Sequence, residues 1–134
     1  MEQDIGWIIV AAASVMALPL IRRALSPATG ITPDALKRRL DAGEDMLVLD
    51  VRTPDEFAGG HIGEAVNVAL PELAQRLPNL KSHLADHGET SVVVVCQSGP
   101  RAHHAARLLR AAGLRKVAIM TGGMNGWRRA GLSV

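Results

Sequence analysis

A chain of 134 residues has room for one domain with one hydrophobic core, and 48% hydrophobic with 21% charged residues excludes a disordered polyampholyte. Its single cysteine excludes an internal disulfide and any zinc site built on cysteine pairs. The formal charge of +2 comes from basic residues scattered over predicted helices without interleaved aromatic residues, which is typical of solvated helix faces rather than of a nucleic-acid surface.

An uncharged segment, residues 5–21, is the first feature along the chain. As a helix it would be about 25 Å long, at the short limit for crossing the hydrocarbon core of a bilayer. Glu2 and Asp4 precede it and Arg22 and Arg23 follow it, which is the reverse of the charge order of a signal peptide. A buried core helix is the alternative. We predict a single-pass anchor in the inner membrane, with the rest of the chain in the cytoplasm.

The remaining chain is predicted to be a short linker followed by one folded domain. The predicted boundaries are residues 1–23 for the anchor, 24–30 for the linker and 31–134 for the domain. Four apolar runs that are too short for helices are predicted strands: residues 46–51, 66–68, 91–95 and 116–120. Capping and turn residues predict helices that begin at Pro33, Pro54, Pro71 and Arg101 and after Gly122 and Gly123, the third being interrupted at Pro78.

Strands and helices therefore alternate, and the strands are apolar along their whole length. This combination predicts an α/β domain whose parallel sheet is covered by helices on both faces. Ligands of such sheets bind beyond the carboxyl ends of the strands. Asp50, Arg52 and Cys96 lie at those ends, so we expect the functional site there. Glu56 is assigned a different task, the completion of a capping box with Thr53.

The single cysteine opens the loop CQSGPR, residues 96–101, between a predicted strand and a predicted helix. In such a tight loop successive backbone N–H groups turn toward one point, and the helix start adds unpaired donors and a positive dipole end. The resulting cup binds anions. We predict Cys96 to be a nucleophile in a cradle formed by the amides of Gln97, Ser98, Gly99 and Arg101. A buried, inert cysteine is the alternative.

Three motifs resemble those of the rhodanese family of sulfurtransferases, specifically its small single-domain members. They are LVLDVRTPDEFAGGHIGEAVNV (residues 47–68), CQSGPR (96–101) and TGGMNGWRRAGLSV (121–134). The resemblance implies a rhodanese-like five-stranded parallel sheet with helices on both faces. It implies that Cys96 takes a sulfane sulfur from thiosulfate or a persulfide donor, holds it as a persulfide and passes it to a thiol or to cyanide. It assigns Asp50 and Arg52 to the charge network around the loop.

The resemblance also indicates the partners of the protein. They are a small anionic sulfur donor and a thiol acceptor, and neither a metal nor an organic cofactor is implied. A protein acceptor of sulfur and the membrane, through residues 5–21, are further expected partners, whereas nucleic acid is not.

Two details of the loop bear on its chemistry. Four residues separate Cys96 from Arg101, one fewer than in the related phosphatases and arsenate reductases, which favours sulfur transfer over those activities. Pro100 occupies a position that is often basic or polar in relatives, and it removes one N–H and any side-chain charge. Thiosulfate is therefore expected to be a poor donor. A membrane-tethered persulfide relay or interaction module, loaded by protein partners, is the alternative function.

Overall fold

The computed structural model describes residues 28–86 and 90–134 of the chain. The predicted anchor, residues 1–23, lies outside the described residues, as does most of the predicted linker. No helix in these two described stretches combines the length and the apolar character that crossing a membrane requires.

The domain is built on one sheet of five parallel strands in the order β1-β5-β4-β2-β3. The strands are Thr29–Ile31 (β1), Met46–Asp50 (β2), Val66–Asn67 (β3), Ser91–Val95 (β4) and Val117–Met120 (β5). β4 lies in the middle, and its four valines are at most 1% exposed. The predicted parallel α/β sheet is confirmed, and its four apolar strands agree with the prediction to within one residue at each end.

Helices cover both faces of the sheet, as predicted. They are Pro33–Asp41 (α1), Pro54–Ala58 (α2), Leu70–Asp86 (α3), Pro100–Ala111 (α4) and Gly123–Arg129 (α5). Leu73 of α3 and Leu109 of α4 belong to one core cluster, whereas Leu36 of α1 and Trp127 of α5 belong to another. The valines of β4 alternate between the two clusters, because successive side chains of a strand point to opposite faces.

Two helices begin with the threonine caps that the sequence predicts. At α1, the Oγ1 of Thr32 accepts a hydrogen bond from the N–H of Ala35 at 3.2 Å. At α2, the Oγ1 of Thr53 accepts one from the N–H of Glu56 at 3.2 Å, and Oε1 of Glu56 accepts one from the N–H of Thr53 at 3.1 Å. The predicted capping box is confirmed, and it holds the Glu56 carboxylate close to the carboxyl end of β2.

The interruption predicted at Pro78 is wrong, because α3 is continuous over Leu70–Asp86 with this proline inside it. Proline removes one backbone hydrogen bond within a helix and crowds the preceding turn. Leu73 before it and Leu80 and Leu84 after it nevertheless pack on the same core cluster. Burial of this apolar stripe stabilises the helix more than the lost hydrogen bond destabilises it.

β1 is the strand that the apolar pattern does not predict. It includes Thr29 and Gly30, which the pattern assigns to the linker, so the sheet begins two residues before the predicted start of the domain. Ile31 lies opposite Met120 of β5, and its carbonyl accepts a hydrogen bond from the N–H of Thr121 at 2.9 Å. Because β1 contains only one large apolar side chain, its formation depends on the open edge of β5 rather than on its own hydrophobic pattern.

Candidate active site

The predicted site residues come together at the carboxyl ends of β2 and β4, which are neighbours in the sheet. Asp50 lies opposite Val95, and the N–H of Val51 donates a hydrogen bond to the carbonyl of Val95 at 2.9 Å. Arg52 and Cys96 are the residues that follow on these two strands. The sheet topology therefore brings the predicted nucleophile Cys96 and its predicted supporting pair, Asp50 and Arg52, together at the carboxyl ends of two neighbouring strands.

Cys96 lies between the end of β4 and the start of α4, with only 1% of its surface exposed. The backbone N–H of Gly99 donates a hydrogen bond to its Sγ at 3.0 Å. Gly99 has φ 135° and ψ −41°, a conformation that residues with a side chain rarely adopt. The glycine thus allows the tight turn that directs this N–H at the sulfur, and the start of α4 contributes its positive dipole end.

α5 supports the backbone of the cysteine loop. The N–H of Met124 donates to the carbonyl of Cys96 at 2.8 Å, and the N–H of Asn125 donates to that of Gln97 at 3.1 Å. Gly123 permits this approach, since a Cβ there would lie 2.5 Å from both carbonyl oxygens. The sequence pattern identifies this segment only as a turn and a core helix, and the paired glycines are the local signal that another backbone lies close.

Arg52 uses all five of its side-chain N–H groups within the protein. Its Nε and Nη2 pair with the Asp50 carboxylate, with an Nη2–Oδ2 distance of 2.8 Å. Nη2 also donates to the carbonyl of Gly60 at 2.8 Å, and Nη1 donates to the carbonyl of Glu56 and to Oε1 of Gln97, both at 3.2 Å. Both charged side chains are only 1% exposed. A buried ion pair in this position supports the loop and leaves no guanidinium N–H for a substrate.

The predicted cradle residues Gln97 and Ser98 differ in their surroundings. Gln97 is tied on both sides, because its Oε1 accepts from Arg52 and its Nε2 donates to Oδ1 of Asn125 at 2.6 Å. Its side chain therefore connects the buried ion pair with α5. Ser98 is exposed in the loop. The backbone N–H groups of Gln97, Ser98 and Arg101 remain predicted donors to a bound sulfur ligand.

Arg101, on the first turn of α4, forms a two-point ion pair with Glu56 of α2. The Nη1–Oε1 distance is 2.6 Å and the Nη2–Oε2 distance is 2.9 Å, and the two side chains are 36% and 32% exposed. Hydrogen bonding from Arg101, supported by Thr53 and opposed by burial, lowers the pKa of Glu56 to about 2. The bond to Glu56 in turn raises the pKa of Arg101, so both groups are charged at neutral pH.

The contact of Glu56 with Arg101 is not apparent from the sequence. The pattern assigns Glu56 to helix capping, and the carboxylate caps α2 and binds Arg101 at the same time. The two residues are 45 positions apart, so no local pattern could have revealed their contact. The side chain of Arg101, whose amide is part of the predicted cradle, is already paired with a carboxylate.

Other polar groups nearby have local partners. The ring of His61 stacks on Phe57 with centroids 3.7 Å apart, and its Nδ1 forms a hydrogen bond with the Phe57 carbonyl at 2.8 Å. In residues 28–86 and 90–134, no three His, Cys, Asp or Glu side chains are arranged to hold a metal ion.

Comparisons with curated proteins find relatives of several kinds. An HTH-type transcriptional regulator of Mycobacterium tuberculosis is 38% identical over 135 residues, which cover 99% of this chain and 53% of that protein. A sulfurtransferase of Allochromatium vinosum is 32% identical over 104 residues, covering 78% of this chain and 92% of that protein. A tRNA uridine(34) hydroxylase of Variovorax paradoxus is 33% identical over 111 residues, covering 79% of this chain and 42% of that protein. The chain thus spans about half of the first and third of these relatives.

Solved structures share the fold. Thiosulfate sulfurtransferase from Pseudomonas aeruginosa superposes with a TM-score of 0.69 at 27% identity, covering 79% of this chain and 20% of that chain. A rhodanese-related protein from Thermoplasma volcanium superposes with a TM-score of 0.66 at 26% identity, covering 78% of this chain and 94% of that chain. The family model of the Rhodanese-like domain matches residues 32–130, which include Cys96 and the loop that it opens. The chain therefore belongs to the rhodanese-like domain family.

Proposed function

We propose that this protein is a sulfurtransferase, which moves a sulfane sulfur from thiosulfate or a persulfide donor to a thiol through a persulfide on Cys96. The observation that carries the proposal is the hydrogen bond from the Gly99 N–H to the Cys96 Sγ, in the loop of a rhodanese-like domain. An amide directed at the sulfur beside a helix start stabilises the thiolate, which is the nucleophilic form. The sulfurtransferases among the relatives support the same activity.

In the first half-reaction, the Cys96 thiolate attacks the outer sulfur of thiosulfate. A new S–S bond forms while the S–S bond of thiosulfate breaks, and sulfite leaves with the bonding electron pair. With a persulfide donor, the donor's thiolate leaves instead. The terminal sulfur of the Cys96 persulfide carries the negative charge, and the amides of Gln97, Ser98, Gly99 and Arg101 are its proposed cradle.

In the second half-reaction, an acceptor thiolate attacks the terminal sulfur and removes it as a new persulfide, which restores the Cys96 thiolate. Cyanide removes the same sulfur as thiocyanate. Because the donor product leaves before the acceptor reacts, ping-pong kinetics are expected. Asp50 and Arg52 support the loop in both steps.

Intact mass spectrometry of the full chain in detergent, before and after treatment with thiosulfate or a persulfide, tests the proposal. A gain of about 32 Da, one sulfur atom, is expected in the parent and not in Cys96→Ser, with reversal by cyanide or excess thiol. Absence of the gain with both donors would contradict the proposal. Hydrolysis of a generic phosphoester is not expected, because only four residues separate Cys96 from Arg101.

A persulfide relay served by protein partners is the second candidate function. The pairing of charges near the loop favours it, because Asp50 compensates Arg52 and Glu56 compensates Arg101. A small dianion such as thiosulfate gains little attraction from compensated charges, whereas a protein donor is aligned by its own surface contacts. Steady turnover with thiosulfate and cyanide favours the enzyme. Loading of Cys96 by persulfides alone, without such turnover, favours the relay.

We also propose that residues 5–21 anchor the protein in the inner membrane, with the domain in the cytoplasm. The uncharged segment and its flanking charges support this arrangement. After a carbonate wash the protein should stay in the membrane pellet, and protease added to intact spheroplasts should leave the domain uncut. Release by carbonate, or cleavage of the domain from outside, would contradict the proposal.

A further inference from the structure

We propose that Glu56 selects the sulfur donor of Cys96. By pairing with Arg101 it cancels the positive charge at the mouth of the loop, so that persulfides of low charge are accepted in preference to the thiosulfate dianion. This inference rests on the sulfur transfer proposed above and adds a residue that determines the class of donor.

Within the described residues, the charged side chains bonded to Gln97 and Arg101, together with Arg101 itself and the partner of Arg52, sum to zero. The loop ends at Arg101, which is bonded to Glu56, and Gln97 is bonded to Arg52, which is paired with Asp50. Two arginines and two carboxylates thus form two compensated pairs. A dianion that approaches these two pairs meets guanidinium groups that are already compensated by carboxylates, so the pairs contribute little to offset the cost of desolvating the dianion.

The Glu56 carboxylate is held in place for this task. Its Oε1 accepts hydrogen bonds from both the N–H and the Oγ1 of Thr53, each at 3.1 Å, in addition to its bond with Arg101. The carboxylate is therefore anchored on its own helix and does not depend on Arg101 for its position. The guanidinium has to break two short hydrogen bonds to become available to a ligand.

Arg101 belongs to the same loop as the sulfur. It follows Gly99 by two residues, and the N–H of Gly99 donates to the Cys96 Sγ at 3.0 Å. Removal of the Glu56 carboxylate would therefore leave one uncompensated positive charge on the loop that holds the sulfur. A dianion responds to this change more strongly than a donor without net charge, because the attraction scales with the product of the charges.

A purely structural role for Glu56 makes a different prediction. If the residue only joined α2 to α4, its replacement would loosen the loop and slow the reaction with every donor alike. Donor selection instead predicts that the rate of persulfide formation rises with thiosulfate and changes little with a persulfide donor of low charge. The ratio of the two rates therefore separates the two roles.

Glu56→Gln is the decisive variant, because glutamine also completes a capping box with Thr53 but carries no charge. The rate of persulfide formation on Cys96 is measured by intact mass in single-turnover reactions of the full chain. The donors are thiosulfate and cysteamine persulfide, which has no net charge when its persulfide is ionised. The rate constant with thiosulfate should rise about fivefold, as one more exposed cation allows, while that with cysteamine persulfide should change less than about twofold.

Two further variants serve as controls. Asp41→Asn makes the same change in net charge at the end of α1, which leads into the amino end of β2, and it breaks the exposed Lys37–Asp41 pair. Both rates should stay at the parent's values. In the double variant Glu56→Gln with Arg101→Met, the gain with thiosulfate should disappear, because the uncompensated cation is gone.

The outcomes decide between the two proposals. No persulfide in the parent with either donor would overturn sulfur transfer itself and this inference with it. If the parent does form the persulfide, two results would overturn the inference alone. One is an equal fall of both rate constants in Glu56→Gln. The other is a rise of the rate constant with thiosulfate in Asp41→Asn that equals the rise in Glu56→Gln. If Glu56→Gln does not fold, the parent's rate with thiosulfate decides: it should change less than about twofold between roughly 20 and 200 mM salt, and a steep fall would overturn the inference.

Discussion

Arg52 and Asp50 carry opposite charges in the interior, where each depends on the other for solvation. Arg52→Met keeps much of the side-chain volume but leaves the Asp50 carboxylate buried without its cation. We expect the free energy of unfolding to fall by about 3–5 kcal/mol, the usual cost of breaking a buried pair from one side. Urea denaturation followed by circular dichroism measures this loss.

The matched control for Arg52→Met is Lys37→Met, which breaks an exposed pair with Asp41. These two side chains are 41% and 60% exposed, so the loss should be below about 1 kcal/mol. Similar losses in both variants would show that burial does not govern the cost and would contradict the prediction.

Glu56 has a pKa lowered from 4.5 to about 2, chiefly by its hydrogen bonds with Arg101, so its pairing makes stability depend on pH. A carboxylate whose pKa is lowered by folding contributes stability above its unfolded pKa and loses it as the pH falls through the folded one. The parent should therefore exceed Glu56→Gln in stability by a constant amount above about pH 5, and the difference should shrink toward pH 2. Since both side chains are about one third exposed, we expect a plateau of about 1 kcal/mol.

Urea unfolding of the parent and the variant between pH 7 and pH 2 measures this difference. Glu72→Gln is the comparison, because the Glu72–Arg76 pair is 3.9 Å long and more than half exposed, so its stability difference should stay near zero throughout. A Glu56 difference that grows as the pH falls would contradict the sign of the prediction.

α5 and the cysteine loop behave as one element, because the first residues of the helix hold the carbonyls of the loop. Gly123→Ala would place a Cβ 2.5 Å from the carbonyl oxygens of Cys96 and Gln97, at a φ of 58°. The clash and the backbone strain together should lower the free energy of unfolding by about 3 kcal/mol and slow persulfide formation at Cys96.

Gly43→Ala isolates the backbone contribution to this loss. Gly43 has a φ of 73°, and a Cβ there would meet nothing within 4 Å. Its variant should lose only about 1 kcal/mol in thermal or urea denaturation and should keep the parent's rate of persulfide formation. Equal losses in stability and rate at both glycines would show that α5 does not position the loop.

For the molecule as a whole, β1 closes one edge of the sheet. A chain that lacks residues 1–31 leaves one side of β5 unpaired and removes Ile31, which packs against the core cluster. It should be less stable by about 3 kcal/mol than a chain that lacks only residues 1–27. Thermal denaturation of the two shortened chains measures the difference. Equal melting temperatures would show that the sheet does not need this strand.

Much of the fold follows from short stretches of sequence. The four apolar runs, the threonine caps and the turn glycines act over a few residues, so strands and helices can be predicted where they occur. The hydrogen bond from the Gly99 N–H to Cys96 can be predicted for the same reason, because one strand, one glycine and one helix start lie within a few residues of each other. The support of the loop by α5 cannot be predicted in this way. The alternation of these elements then predicts the parallel sheet, and ligands of such a sheet bind beyond the carboxyl ends of its strands.

The partners of the charged and polar side chains depend on the tertiary structure. The sequence predicts Glu56 to be a helix-capping residue. Only the packing of α2 against the start of α4 makes it the counter-ion of Arg101. Gln97 reads as a loop residue, and only the approach of α5 gives it Asn125 as a partner. The strand at residues 29–31 likewise exists because β5 offers it an open edge. Each of these contacts joins residues at least 28 positions apart, where local propensity has no influence.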